Sequence, residues 1–206
     1  MDYYTLPDDL ASTPTMAFVN GGGVRSDLIF QDDDGHKYAT YGSLINVQPF
    51  GNTAIGIKTN AKQMKEAINL SFSKVKKGHP STPEGDPTDE FGGFFQVSSN
   101  VSLEVNLSDQ GNTVTKFTIG DFDVLTANDD DPIVLIGPSF TLTEGGDGYT
   151  MFKDCEQVTF KDSEDLSGLD IDILKNYLVK VGTGEVEVKN AYKEPAPTSR
   201  IQYTEI

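Results

Sequence analysis

The strongest constraint on the fold of this chain is an amphipathic helix pattern that begins at Asn60. Apolar residues recur along it at spacings of three and four: Ala61, Met64, Ile68, Phe72 and Val75. Asn60 is a favourable N-cap residue, and Gln63 follows at the spacing of a capping box. A single apolar face of this kind predicts a helix that packs on a sheet.

Short segments with alternating or β-branched residues lie on both sides of this helix. The strand candidates are residues 16–19, 53–59, 91–97, 101–107, 113–119, 132–136, 158–160, 185–188 and 200–203. Further helices are predicted around residues 43–47, which Pro49 terminates, and over residues 170–181, where a second amphipathic pattern occurs. Because helices and strands do not alternate as βαβ units, the sequence predicts an α+β fold.

The remaining segments are predicted to be irregular. Residues 1–15 are polar and contain two prolines, so we expect a poorly ordered lead-in to a domain of residues 16–206. A short extended piece is expected at residues 27–30 and an acidic turn at 31–35. Residues 76–90, which include His79, have the composition of a surface loop.

Charge and composition exclude several classes of function. A net charge of −16 argues against nucleic acid and anionic membranes as partners. Cys155 is the single cysteine, which excludes an internal disulfide, and no apolar run approaches the roughly 20 residues of a membrane span. The run Asp32-Asp33-Asp34 leaves a calcium-binding module as a minor alternative, although it lacks the spacing of an EF-hand loop.

A glycine-rich loop follows the first strand candidate. Its sequence is Asn20-Gly-Gly-Gly-Val-Arg25. Three consecutive glycines lose much backbone entropy on folding, which is explained where the backbone approaches another group closely. We therefore expect backbone N–H groups that face a ligand, with a flexible loop as the alternative.

Four motifs in a fixed order suggest a family. They are Asn20-Gly-Gly-Gly-Val-Arg25, Tyr41-Gly-Ser-Leu-Ile-Asn-Val-Gln-Pro-Phe-Gly-Asn52, Gly92-Gly-Phe-Phe-Gln-Val-Ser98 and Gly145-Gly-Asp-Gly-Tyr-Thr-Met-Phe152. With the amphipathic helix after the second motif, the chain resembles the C-terminal domain of the 5′-nucleotidase family, which includes UDP-sugar hydrolases and 2′,3′-cyclic-nucleotide phosphodiesterases. The resemblance implies an α+β fold with a mixed, largely antiparallel sheet and two main amphipathic helices.

The resemblance also implies a nucleoside or nucleotide ligand and a set of binding residues. Asn20 would hydrogen-bond the base or ribose, Arg25 would meet phosphate or ribose oxygens, Phe50 would stack on the base, and Asp147 would accept the ribose hydroxyls. The full set implied is Asn20, Gly22, Gly23, Arg25, Phe50, Asn52, Phe140 and Asp147. Purely structural roles remain open as alternatives: Phe50 as a core residue, Asp147 as a cap, and Arg25 as an ion-pair partner of Asp32–Asp34.

Some family features differ in this chain. In the family, a metallophosphoesterase domain carries two metal ions and the catalytic residues, and its Gly-Asn-His-Asp signature is missing here. We therefore expect no catalytic residue, no metal site and no cofactor in this chain, and a possible metallophosphoesterase domain or chain as partner. The family's helix before the glycine loop, with its phosphate-contacting arginine, is replaced by residues 1–15.

The second stacking aromatic is also displaced. It is expected six residues before Asp147, where Thr141 stands, and a one-residue bulge would bring Phe140 into its place. Two functions follow: a substrate-recognition domain of a 5′-nucleotidase-like phosphohydrolase, or an interaction module that kept the fold and lost nucleotide binding. The resemblance suggests a periplasmic, secreted or cell-surface location, but residues 1–9 have no signal-peptide pattern.

Overall fold

Two β-sheets and the helices packed on them share the main hydrophobic core. The structure, a computed structural model, describes residues 5–34, 36–75, 91–161, 168–181 and 200–205. The strands are β1 Thr15–Asn20, β2 Gln31–Asp33, β3 His36–Tyr38, β4 Ala54–Asn60, β5 Phe95–Val97, β6 Val101–Leu107, β7 Thr113–Ile119, β8 Phe122–Asp123, β9 Pro132–Pro138, β10 Gln157–Val158 and β11 Ile201–Glu205. The α-helices are α1 Tyr41–Val47, α2 Ala61–Phe72, α3 Ser139–Leu142 and α4 Asp170–Val181.

The strands form two larger sheets and a two-stranded ribbon. The five-stranded sheet has the order β10-β4-β9-β1-β5, and the four-stranded sheet has the order β11-β6-β7-β8. β1 runs parallel to β9, and β11 runs parallel to β6, whereas the other neighbours are antiparallel. The α+β class with mixed, largely antiparallel strands is thus confirmed, and the division into two sheets is a feature that the sequence did not indicate.

The helix α2 confirms the clearest sequence prediction. Asn60 caps it, because the Asn60 Oδ1 accepts a hydrogen bond from the Gln63 N–H at 2.9 Å. The Gln63 side chain donates instead to the Met151 carbonyl at 2.7 Å. The apolar face is buried against strands of both larger sheets and includes Met64 and Phe72. This helix therefore joins the two sheets in one core.

Two local predictions are corrected by the structure. Of the segment expected as an acidic turn, residues 31–33 form β2, which pairs with β3 in an antiparallel ribbon. Residues 27–30, expected as a short extended piece, lie outside the strands. The strand expected over 91–97 is reduced to β5, because the Gly92-Gly93 segment turns away to contact the glycine loop.

The lead-in was expected to be poorly ordered, but the part that the structure describes packs on the five-stranded sheet. Leu6 and Leu10 contact a second apolar cluster that contains Val134, Ile136, Val158 and Phe160. The Lys161 N–H donates to the Thr5 carbonyl at 3.0 Å, and the Lys161 ammonium pairs with the Asp8 carboxylate. Apolar side chains at two positions are enough to attach an otherwise polar segment.

The C-terminal part is described only in pieces. α4 has the predicted bounds and packs against α1. The strand predicted near residue 200 is confirmed as β11. The predicted loop 76–90 with His79, and the predicted strand 185–188, lie outside the described residues. Within the described ranges, none of the helices has the length and apolar character that crossing a membrane requires.

Candidate functional site

The glycine loop is held against a second glycine segment. Directly after β1, Gly21–Gly23 form a single 3-10 turn. The Gly21 N–H donates to the Phe94 carbonyl at 2.9 Å, and the Gly22 N–H donates to the Gly92 carbonyl at 2.7 Å. A Cβ on Gly22 would lie 3.1 Å from the Gly92 Cα, so the two backbones meet at a distance that favours glycine. The expected close approach is present, but its partner is the chain itself, and two of the N–H groups serve that contact.

Asn20 connects this loop to the glycine turn that contains Asp147. The Asn20 side chain is 6% exposed, and its Nδ2 donates to the Asp147 Oδ2 at 3.0 Å. Asp147 lies in the 3-10 turn Gly146–Gly148 with a φ of 55°, a left-handed conformation that few non-glycine residues adopt. The turn is therefore shaped so that the carboxylate reaches Asn20, and Asp147 is more than a cap for the segment that follows.

Tyr149 fixes the other side of the Asp147 turn, and sequence reasoning did not identify it. Its hydroxyl donates to the Gly93 carbonyl at 2.7 Å, and its ring lies against the Phe95 ring with centroids 4.6 Å apart. Burial raises the pKa of Tyr149 well above its ordinary value, a hydrogen bond with Ser71 opposes this effect, and the charge of Asp147 adds to it. The phenol is consequently a proton donor throughout the physiological pH range. Its signal in the sequence was an aromatic residue directly after a Gly-Asp-Gly turn.

Phe140 takes the exposed position beside this turn. It is in α3 and is 36% exposed, whereas its neighbour Thr141 is fully buried. The Phe140 ring covers Gly146, because a Cβ on Gly146 would come within 2.4 Å of it. Of these two neighbours, Phe140 is therefore the one that presents a side chain next to Asp147.

Phe50 and Arg25 form a second part of the site. Phe50 is 59% exposed, so it is not a core residue. The Arg25 Cζ lies 5.9 Å from the centroid of the Phe50 ring, within cation–π range. The Arg25 Nη1 donates to the Gly22 carbonyl at 3.4 Å, and the Arg25 N–H donates to the Val47 carbonyl at 2.9 Å. Arg25 thus connects the glycine loop to the segment that carries Phe50.

The two aromatic segments are neighbours because β4 and β9 pair. Ala54 at the start of β4 lies opposite Pro138 at the end of β9. Before this pair, the Ser139 N–H donates to the Thr53 carbonyl at 2.8 Å, and the Thr53 N–H donates to the Ser139 Oγ at 3.3 Å. Asn52 precedes Thr53, and Phe140 follows Ser139, so Phe50 and Phe140 both lie at this edge of the five-stranded sheet.

The predicted site residues therefore fall into two connected groups. The first group lies at the glycine turn and consists of Asn20, Asp147 and Phe140, with Gly22 and Gly23 beside them. The second group lies near the end of α1 and consists of Arg25, Phe50 and Asn52. Gly23 lies against Asn20, since an added Cβ would be 3.1 Å from the Asn20 Oδ1. Among the described residues, no group of three His, Cys, Asp or Glu side chains is placed to hold a metal ion.

Comparisons with known proteins identify relatives for most of the chain. The chain is 30% identical over 175 residues to the trifunctional nucleotide phosphoesterase protein YfkN of Bacillus subtilis, an alignment that covers 84% of this chain and 10% of that protein. It is 25% identical over 186 residues to the cell wall protein Lmo0130 of Listeria monocytogenes, covering 87% of this chain and 21% of that protein. The chain thus spans only a small part of the length of these relatives.

Solved structures show the same fold. The 5′-nucleotidase precursor from Thermus thermophilus matches with a TM-score of 0.62 at 21% identity, covering 95% of this chain and 32% of that chain. The NAD nucleotidase of Haemophilus influenzae matches with a TM-score of 0.57 at 16% identity, covering 93% and 30%. The family model for the 5′-nucleotidase C-terminal domain matches residues 7–154, well over half of the sequence. This chain therefore belongs to the 5′-nucleotidase C-terminal domain family.

Proposed function

We propose that this chain binds a nucleoside or nucleotide as the substrate-recognition domain of a 5′-nucleotidase-like phosphohydrolase. The observation that carries the proposal is the hydrogen bond of 3.0 Å between Asn20 and Asp147. It joins two glycine-rich segments that are distant in the sequence and holds a carboxylate and an amide at one edge of the sheet. Two exposed aromatic side chains, Phe50 and Phe140, lie at the same edge.

The chemistry of these groups fits the parts of a nucleoside. Exposed aromatic rings offer faces on which a base stacks, a contact that contributes roughly 1–3 kcal/mol per base. A carboxylate in a glycine turn is a suitable acceptor for the two hydroxyls of a ribose. The guanidinium of Arg25 is a planar donor for phosphate oxygens, and it supplies local positive charge in a chain whose net charge is −16.

The relatives support the same ligand class. Their names describe a nucleotide phosphoesterase, a 5′-nucleotidase and a NAD nucleotidase. Each is much longer than this chain, so recognition, rather than the whole reaction, is the function that we propose for it. A metallophosphoesterase domain or chain is the partner that would supply hydrolysis.

A second candidate is an interaction module that kept the fold and lost nucleotide binding. The observation in its favour is at the N-terminus. Where the resemblance implies a helix with a further arginine, the described residues have only the 3-10 turn Asp8–Leu10. A ligand that depends on two arginines for its phosphate would bind weakly here, whereas a nucleoside would be little affected.

Calorimetric titration with adenosine and AMP separates the two candidates. We expect the unchanged chain to bind. The Phe50→Ala variant should bind about 5- to 150-fold more weakly, which is the change in affinity that corresponds to the stacking energy of one base. Because Phe50 is exposed, this substitution removes a ligand contact with little effect on the core. Tyr38→Ala, which removes an exposed aromatic from the β2–β3 ribbon, is the matched control and should bind like the unchanged chain.

Asp147→Asn tests the role of the carboxylate separately. Asparagine tolerates the left-handed conformation, so the turn keeps its shape while the charge is lost. We expect weaker binding of adenosine but not of adenine, which has no ribose. Lack of binding of either nucleoside or nucleotide at millimolar concentration would favour the interaction module. Turnover of AMP with added Mn²⁺ or Zn²⁺ that disappears on Arg25→Ala would contradict the assignment of recognition alone.

A further inference from the structure

The first residues of α4 lie against the segment that carries Phe50. The Ala54 N–H donates to the Gly168 carbonyl at 2.6 Å, and the Asp170 N–H donates to the Asn52 carbonyl at 2.9 Å. Between these two bonds, Thr53 and Leu169 form an isolated antiparallel bridge. The backbone on the C-terminal side of Phe50 is therefore paired with the start of α4.

The side chain of Asp170 adds to this attachment. Its Oδ1 accepts a hydrogen bond from the Ile171 N–H at 2.8 Å. Burial raises the pKa of the Asp170 carboxyl, and hydrogen bonds from the Ile171 backbone and from the Asn52 side chain and backbone partly oppose this effect. The contact of Asp170 with Asn52 is the feature that distinguishes this position.

A second aspartate of α4 reaches the other end of the same segment. The Tyr41 hydroxyl donates to the Asp172 Oδ1 at 3.3 Å, and Tyr41 is the first residue of α1. α1 ends at Val47, three residues before Phe50, and α4 packs along it. The segment from Tyr41 to Asn52 is thus held at both ends by aspartates of one helix.

We propose that α4 is a positioning element for the aromatic part of the site, and that Asp170, through Asn52, sets the position of the Phe50 ring. This inference rests on the proposed function, since it names what holds the stacking residue in place. α4 lies beyond residues 7–154, which the family model matches. Asp170 is a positioning residue, because it acts on the ligand through Asn52 and Phe50.

Fluorescence tests this placement without a ligand. The chain contains no tryptophan, so Phe50→Trp introduces a single reporter at the position in question. We expect Asp170→Ala in this background to lower the anisotropy of Trp emission and to increase quenching by acrylamide. Val179→Ala in the same background is the control, because Val179 is an exposed residue on the same helix. Unchanged anisotropy and quenching in the Asp170→Ala protein would overturn the proposal.

Binding of adenosine, which is neutral, and of AMP, which is charged, shows whether Asp170 acts by positioning Phe50 or by its own charge. Loss of one negative charge would by itself tighten AMP binding and leave adenosine binding unchanged. If Asp170 positions Phe50, its replacement by alanine weakens both ligands, by about fivefold or more. Asp170→Asn retains one acceptor oxygen and should restore part of the affinity, which also decides the case if the alanine variant does not fold.

Failure of the proposed function can be distinguished from failure of the positioning role of Asp170. If the unchanged chain binds no nucleoside, the proposed function fails, and the fluorescence of the Trp reporter still decides whether α4 positions the segment. If the chain binds adenosine and Asp170→Ala binds it equally well, the positioning role is wrong and the proposed function stands.

Discussion

Replacement of Tyr149 by phenylalanine tests whether one buried hydroxyl, which bonds to Gly93 and Ser71, holds the candidate site together. The phenol is fully buried and donates to the carbonyl of Gly93 at 2.7 Å. Phenylalanine keeps the ring and its contact with Phe95, so the substitution removes only the hydroxyl. The Gly93 carbonyl then loses this donor in a buried environment, for which we expect a loss of about 1–3 kcal/mol in the free energy of unfolding.

The assay is urea denaturation followed by circular dichroism, with thermal unfolding as a second measurement. For a chain of this size, each kcal/mol corresponds to roughly 2–4 °C in Tm. Tyr38→Phe is the matched control, because Tyr38 is 45% exposed, whereas Tyr149 is fully buried. We expect the control to remain within about 0.5 kcal/mol of the unchanged chain.

The same substitution has a functional consequence. Gly93 packs against Asp147, since an added Cβ on Gly93 would lie 2.7 Å from the Asp147 Cβ. Loss of the Tyr149 hydrogen bond should therefore loosen the glycine turn and weaken nucleoside binding together with stability. If Tyr149→Phe unfolds at the same urea concentration as the unchanged chain, the buried hydroxyl does not stabilise this part of the fold.

Three further outcomes are expected. Asn60→Ala removes the N-cap of α2 and should lower the free energy of unfolding by about 1 kcal/mol in urea denaturation. Burial raises the pKa of Asp170 above 3.8, so the folded state binds this proton more tightly than the unfolded state and stability decreases as pH rises through the folded pKa. Asp170→Asn should lack this decrease, which unfolding measured at several pH values would show. Burial also raises the pKa of the Cys155 thiol from 9.0, so iodoacetamide should modify it more slowly in the native than in the urea-denatured chain; equal rates would contradict the burial.

The helices and the longer strands could be predicted because their signals are local. α2 and α4 each have apolar residues at helical spacing, and α2 has a cap at Asn60. β6 and β7 were predicted with their observed bounds. The motifs with Asn20, Phe50 and Asp147 were equally visible, since each combines a glycine turn with one chemically distinctive residue.

Other features depend on contacts that no local pattern contains. The strand expected over 91–97 was too long, because the carbonyls of Gly92 and Phe94 accept hydrogen bonds from the glycine loop instead. Residues 5–14 pack on the sheet through Leu6 and Leu10, although the segment is polar overall. Asp170 was seen only as the start of a helix, and its contact with Asn52 arises from the packing of that helix.

The sequence by itself determined the α+β class, the positions of the main helices and the residue types available to the site. Helical periodicity, capping and turn chemistry act within a few positions of the chain. Only the tertiary structure decided which of these residues meet. Asn20 and Asp147 are 127 positions apart and share a hydrogen bond, and Tyr149 reaches the Gly93 carbonyl across 56 positions. The pairing of β1 with β5 and β9, and of β4 with β9, brings these distant segments to one edge of a sheet. The shared core that these strands bury draws its residues from Met16 to Phe152, so no local pattern of the sequence contains it.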